Sequence, residues 1–322
     1  MKKVNIIVLS GFLGSGKTTL LKDLVQYERS KNRRIGVLMN ELGDVGIDSA
    51  IIPKDTPFVE MLNGCICCTM QGELSVQLNL LVEEHQLDII YIEATGAAHP
   101  LEILEACTHP ILANKLSIKG IVTVVNAKQW SENKLSNRLK KLLTMQVKYA
   151  DIVLINKKDQ VTSSILHSIK EDVELINQRA RILMTTFAEM DLSCLYNEKK
   201  ESMDLKDKGI SNNESHVHNH LHLSTFTCPI PEPIDRLELL DWLEKMQGNV
   251  YRVKGFIHLN ESPGLFLFNY AQGDPIIERY RSEKNYSPVL VFIGEGIDQT
   301  EVEKGINKLQ DKASTPKKAT LN

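Results

Sequence analysis

No uninterrupted apolar stretch in this 322-residue chain reaches 18 residues, so nothing in it reads as a membrane-spanning helix. No internal repeat is visible either. Charge of one sign is lacking. The formal net charge is -3 and the isoelectric point about 6.3, which gives no global signature of a nucleic-acid or anionic-membrane binder. Cysteine is scarce, with six in the chain. The opening stretch, MKKVNIIVLSGFLGSGKTT, begins like a secretory signal with basic residues and an apolar run. That run is short, however, and Gly-rich sequence follows it without a small-residue cleavage site. The expectation is a first buried strand in a cytoplasmic protein, where disulfides are disfavoured.

What is present is ordinary soluble material: 42% hydrophobic and 25% charged residues, in a length that suits about two domains. The first part alternates apolar runs with helical patterns. Strands are predicted at Val4–Ser10, Arg34–Met39, Leu87–Glu93, Ile118–Asn126, Ala150–Asn156 and Ala180–Thr186, with Pro57–Leu62 as an edge or hairpin strand. Helices are predicted at about 17–28, 73–84, 133–147 and 163–177. Runs that are β-branched and apolar on both faces suit a mostly parallel sheet covered by helices on each side, an α/β fold of the phosphate-loop NTPase kind. From about residue 199 to 222 the composition turns polar and His-rich, as in a linker. A smaller α+β unit is expected over 223–310. Its predicted strands are HLSTFTCP, VYRVKGFIHL, GLFLFNYA and SPVLVFIG. Its predicted helices are PEPIDRLELLDWLEKM, with Pro233 in the first turn, and DQTEVEKGINKLQDKA. Residues 311–322 read as a loose tail.

The segment GFLGSGKT, Gly11 to Thr18, fits G-x-x-x-x-G-K-[ST] between a predicted strand and a predicted helix. Gly11, Gly14 and Gly16 let the backbone approach phosphates, and the helix N-terminus forms an anion site. In this reading Lys17 reaches the β- and γ-phosphates and Thr18 binds Mg2+. Ser15 and Thr19 complete the nucleotide-binding set. The string NKKD, Asn156 to Asp159, ends a later strand. Asp159 can accept from guanine N1–H and its exocyclic amine, a donor pair adenine lacks. Asn156 would brace the loop and the Lys157 stem would lie along the base. Glu93 at the tip of LDIIYIE can hold Mg2+ or its water, and the Gly96 N–H could face the γ-phosphate. No obvious catalytic Gln or Arg finger is visible, so slow intrinsic turnover is expected.

Three of the six cysteines, Cys65, Cys67 and Cys68, fall within GCICC. Such a cluster in a polar turn is poor core material. Cys65 and Cys68 have the spacing of a redox pair without its usual context. A closed structural zinc site would need a second ligand pair, which is absent. An open site for a soft-ligand metal is the better reading, with zinc or a neighbouring late transition ion as the guest. Glu41, in MNELGDVGID, is a candidate for the missing ligand. Asp48 is a further candidate for Mg2+ or the γ-phosphate. His216, His218, His220 and His222 stand at every second position of HVHNHLH. They point the same way if the segment is extended, which suits loose metal capture.

Together these motifs resemble the CobW family of metal-chaperone GTPases, in the SIMIBI class, over about residues 4 to 308. The family's phosphate loop matches Gly11 to Thr18, and its Glu-tipped strand matches Glu93, Thr95 and Gly96. Its guanine motif matches Asn156, Lys157 and Asp159, and its Cys-x-Cys-Cys matches Cys65, Cys67 and Cys68. The family's Asn-Glu-Phe-Gly falls on Asn40, Glu41, Leu42 and Gly43, with Leu in place of Phe. The resemblance implies GTP-driven delivery of Zn2+, or Co2+, to a client metalloprotein or metallocofactor pathway, with a nucleotide- or metal-dependent homodimer as a further expectation. The rival readings are a metal buffer with a vestigial nucleotide site, a small-molecule phosphotransferase, and a redox switch at Cys65 and Cys68.

Overall fold

The computed structural model describes residues 2–41, 56–62, 69–132, 135–195, 224–246, 250–271, 273–281 and 286–313. The amino-terminal part runs β1 (Val4–Ser10), α1 (Lys17–Ser30), β2 (Ile35–Glu41), β3 (Phe58–Leu62), α2 (Thr69–Glu84), β4 (Ile89–Glu93), α3 (Pro100–Cys107), β5 (Leu116–Asn126), α4 (Ala127–Glu132), α5 (Asn137–Lys148), β6 (Ile152–Asn156), α6 (Ser163–Ile176) and β7 (Arg181–Met184). Its sheet has seven strands in the order β3-β2-β4-β1-β5-β6-β7. Every pairing in it is parallel.

Alternation along β1 shows how the sheet is covered. Val4, Ile6 and Val8 belong to one buried cluster with Leu74, Leu78 and Leu81 of α2 and Ile103 and Leu104 of α3. Ile7 and Leu9 point to the other face and join Leu20, Leu21, Leu24 and Val25 of α1. A strand with apolar residues on both faces is thus buried on both sides, as a parallel sheet requires. Among the described residues no helix is long and apolar enough to cross a membrane.

The carboxyl-terminal part runs β8 (Ser224–Pro229), α7 (Arg236–Lys245), β9 (Val250–Leu259), β10 (Ser262–Ala271), β11 (Asp274–Arg279), β12 (Val289–Gly294) and α8 (Gln299–Ala313). Its five strands form an antiparallel sheet in the order β11-β10-β9-β12-β8. One face packs on α7 and α8 through Val253, Ile257, Phe268, Phe292, Leu239, Leu243, Val302 and Ile306. The fold class is the one the sequence implied, with several differences in detail. Of the two readings of the Pro57–Leu62 stretch the edge strand holds, parallel to β2. The helix expected over 133–147 starts only at Asn137, because Ser136 caps it by accepting from Leu139 N–H, and α4 before it was not anticipated. Pro233 lies outside α7, whose cap is Asp235, accepting from Leu237 and Glu238 N–H. The helix α3 and the strand β11 were not anticipated.

The other face of the second sheet meets the first domain. Val289 and Val291 cluster with Ala113, and Arg252 pairs with Glu105 of α3. His109 sits in the same seam, its Nδ1 accepting from Ile111 N–H at 3.4 Å. Burial, together with the Lys254 and Arg252 charges, pushes the His109 imidazole down to about 4. His99 is also lowered, by burial. Both imidazoles therefore resist protonation in the folded state, while the unfolded chain takes up protons near pH 6.5. Stability is full above that pH and falls as the pH drops towards the folded values. The His109 contribution is at most about 3 kcal/mol. His109→Asn keeps the cap acceptor and removes the titration. Urea midpoints measured from pH 7 to pH 4 should fall less steeply for this variant than for the parent. Parallel curves would show that the seam does not exclude the proton.

Candidate functional site

Six of the parallel strands end on one side of the sheet with a residue or loop of interest: Ser10, Glu41, Glu93, Asn126, Asn156 and the loop after Met184. Sites in such sheets form beyond the carboxyl ends of the strands. The loop after β1 turns into α1 at Gly16, which has φ 112°. A Cβ there would lie 2.5 Å from Asn156 Nδ2, so both the backbone and the packing demand glycine. The helix that follows has no side-chain cap. Its first-turn N–H groups and its positive end form a ready anion site.

Lys17 lies back over the loop, its Nζ donating to Gly11 O at 2.9 Å and Phe12 O at 3.3 Å. Thr18 Oγ1 donates to Glu93 Oε1 at 2.8 Å, and Glu93 is only 4% exposed. The hydroxyl thus turns its lone pairs away from the carboxylate. A half-buried hydroxyl beside a buried carboxylate is a hard-oxygen donor set of the kind that Mg2+ accepts together with phosphates. Ser15 Oγ is buried without a hydrogen-bond partner among the described residues, a polar atom left for a ligand inside the loop.

Asn156 binds three segments together. Its Nδ2 donates to Ser15 O at 2.8 Å, and its Oδ1 accepts from Ala188 N–H at 2.9 Å and Thr185 Oγ1 at 3.2 Å. Lys157 follows with φ 60° and caps a short 3-10 turn carrying the exposed Asp159. Asn156 and Asp159 are therefore at the same end of the sheet as the phosphate loop. The loop at Thr185–Ala188 was not anticipated. Phe187 and Ala188 have φ 55° and 59°, unusual for residues with side chains, and Phe187 is 70% exposed at its tip. No motif marks this loop in the sequence.

Gly96 is pressed against the phosphate loop: a Cβ there would lie 2.6 Å from Leu13 N. Strand register places the other candidates. Met39 of β2 pairs with Glu93 of β4, and Glu41 pairs with Leu62 of β3. The Glu41 side chain, Cys65, Cys67, Cys68, Asp48 and the four histidines lie outside the described residues. Cys107 and Cys228 are described, and both are free and buried in the hydrophobic clusters, Cys107 at the end of α3 and Cys228 in β8. Among the described residues no cluster of His, Cys, Asp and Glu is poised to hold a metal ion.

The family described as "CobW/HypB/UreG, nucleotide-binding domain" matches residues 5–184, and "Cobalamin synthesis protein cobW C-terminal domain" matches residues 223–310. The chain is 30% identical to "Zinc-regulated GTPase metalloprotein activator 1" of Dictyostelium discoideum, over 84% of this chain and 66% of that protein. It is 28% identical to "Zinc chaperone YjiA" of Escherichia coli, over 94% of this chain and 97% of that one. A crystal structure of Zn(II)-bound YjiA GTPase from E. coli aligns with 96% of this chain at 23% identity and a TM-score of 0.47.

The Asn156 contacts give a direct test. Removing its side chain leaves the Ser15 carbonyl, the Thr185 hydroxyl and the Ala188 N–H without their partner inside the protein. Asn156→Ala should lower the unfolding free energy by roughly 2–4 kcal/mol, read as a shifted urea midpoint at constant slope. A loss below about 1 kcal/mol would mean that the three segments hold together without it.

Proposed function

We propose, for a chain that belongs to the CobW family, with a CobW/HypB/UreG nucleotide-binding domain followed by a CobW C-terminal domain, a GTPase that carries a transition metal ion and hands it to a client metalloprotein. The observation that carries this reading is the order of strand tips. The tip of β4 holds Glu93, the partner of Thr18. Next to it is β2, ending at Glu41, and next to that β3, ending at Leu62, three residues before Cys65. Neighbouring strands lie about 4.8 Å apart. The nucleotide side of the sheet and the start of the thiol segment are therefore separated by roughly 10 Å, with Glu41 between them.

In this proposal the phosphates of GTP take the N–H groups at the start of α1, and Lys17 leaves the Gly11 and Phe12 carbonyls for the β- and γ-oxygens. Gly11, Gly14, Ser15, Gly16 and Thr19 complete the cradle. Thr18 and Glu93 would hold Mg2+, with Asp48 as a further candidate, and the ion would supply charge neutralisation at the phosphates. Asp159 reads the guanine edge, Lys157 lies along the base, and Asn156 fixes the loop that carries them. Gly96 offers its N–H to the γ-phosphate.

Cargo binding falls to Cys65, Cys67 and Cys68 with Glu41. Zn2+ is preferred because thiolates favour it and Co2+ remains a second guest of the same donor set. The relatives' names, zinc chaperone and zinc-regulated GTPase metalloprotein activator, support zinc. Cysteines must shed protons to bind the ion, so affinity should rise with pH. Hydrolysis is proposed to be slow alone, and a client or a second copy of the chain would assist it. His216, His218, His220 and His222 are proposed as a loose collecting site.

Two measurements test the reading. Zn2+ or Co2+ is titrated into the full chain loaded with a non-hydrolysable GTP analogue or with GDP, with cobalt–thiolate absorption reporting the ligands. Tighter binding with the triphosphate is expected, and by linkage the metal must tighten the triphosphate by the same factor. Equal affinity in both states would overturn the coupling. Separately, Asp159→Ala should weaken GTP by a hundredfold or more while leaving ATP, already weak, unchanged. Unaltered GTP binding would remove Asp159 from the base site.

A further inference from the structure

Gln146 is a fully buried amide in α5 with no part in the motifs above. Its Nε2 donates to two backbone carbonyls of one turn, Gly96 O and Ala98 O, each at 3.2 Å. Both partners can only accept, so the amide orientation is forced. Its Oε1 is buried with no hydrogen-bond partner among the described residues. As a stability device this is a poor arrangement, since a half-satisfied buried amide is worse than an apolar side chain of the same size. Such exceptions call for another explanation.

The surroundings supply one. The 95–98 turn is held between two rigid neighbours. On one side Gly96 presses on Leu13 of the phosphate loop, with no room for a side chain. On the other stands Gln146, and the turn of helix that carries it is itself anchored, because its backbone carbonyl accepts from Thr123 Oγ1 at 2.8 Å. Thr123 pairs in register with Ser10, the residue before the phosphate loop. Three residues along, Tyr149 at the end of α5 packs its ring on His99, 5.7 Å between centroids. Within the turn, Ala97 N–H donates to Thr95 Oγ1 and Ala98 N–H to Thr95 O. The Gly96 N–H has no such partner among the described residues.

We propose that Gln146 is a positioning residue for the terminal phosphate: by holding the carbonyls of Gly96 and Ala98 it fixes the turn so that the Gly96 N–H is presented to the γ-phosphate of GTP. The inference rests on the GTPase reading and deepens it. It requires Gln146 to act on the triphosphate and to be silent towards the diphosphate, which a general packing role would not do.

Two variants separate these roles in the full chain. Gln146→Met keeps the volume and removes both donors. It should leave GDP affinity within twofold of the parent while weakening a non-hydrolysable GTP analogue at least tenfold and lowering kcat. Gln146→Glu keeps the shape. Its buried carboxyl, raised by burial, can donate only when protonated. The same defect should appear at pH 8 and recede towards pH 6, a recovery absent from the parent and from Gln146→Met. Thermal melts of both variants check folding. If neither folds, hydrogen exchange of residues 94–99 in the parent replaces them, with slowing expected from the GTP analogue and not from GDP. Ratios of GDP to analogue affinity within twofold of the parent in a folded Gln146→Met, or equal protection by the two nucleotides, overturn the proposal. A parent that hydrolyses GTP alongside an unaffected variant overturns the positioning role alone. A parent that binds no guanine nucleotide overturns the GTPase reading and this role with it.

Discussion

The loop after β1 can close only because Gly16 carries no side chain where the Asn156 amide passes. That single packing condition sets the distance between the phosphate loop and the tip of β6. Asn156 then spends its donor on Ser15 O and its acceptor on the loop after β7. A side chain read in isolation as part of a base-recognition string is, in the folded chain, a strut between β1, β6 and β7. The strut and the string are compatible. An Asn held by the protein through both its amide nitrogen and its amide oxygen cannot wander, so the Asp159 that follows it is offered at a fixed place.

A second set of contacts ties the nucleotide domain to the carboxyl-terminal sheet. The turn at Gly96 continues through His99, which caps α3 by accepting from Leu101 N–H. The far end of that helix carries Glu105, paired to Arg252 of β9. Tyr149, whose ring packs at a tilt on His99, also lies near Glu295, to which Tyr251 donates at 2.6 Å. Burial raises the Tyr251 hydroxyl to about 12, with the Glu295 hydrogen bond adding to it. Two rigid arms thus lead from the turn beside the phosphate loop to the second sheet. One arm is the helix α3, with a polar contact near each end, and the other is the last turn of α5, with Gln146 and Tyr149 three residues apart.

Residues whose partners are close in sequence were the legible ones. Gly11 to Thr18 announces a strand-to-helix turn because the glycines, the lysine and the threonine act within one loop. Glu93 and Asn156 were legible because each ends an apolar run. Gln146 was not, since its partners lie 50 and 48 residues away and a lone Gln in an amphipathic helix carries no spacing signal. The Thr185–Ala188 loop was hidden for the same reason, its tie to Asn156 spanning 32 residues. Strand β11 was hidden by its own composition, as Pro275 and the charges Asp274, Glu278 and Arg279 disguise it. Those same residues suit an edge strand, where they discourage pairing with another chain. The 133–147 helix was drawn too long because a Ser inside a helical pattern looks tolerable until its hydroxyl is seen to cap.

The strand order also bears on how strongly nucleotide and cargo can influence one another in the proposed function. A triphosphate carries about one more negative charge than a diphosphate. Three thiols that shed their protons on ligating a divalent cation change the charge of the cargo site by about −1. Over roughly 10 Å the added phosphate charge then opposes cargo binding by about 0.4 kcal/mol at the dielectric of water and about 1.7 kcal/mol at an effective value of 20. Through-space charge alone therefore has the wrong sign for the proposed coupling. Tighter cargo binding in the triphosphate state requires a contact made only in that state, and in this proposal that contact falls to Glu41, at the tip of the strand between β4 and β3.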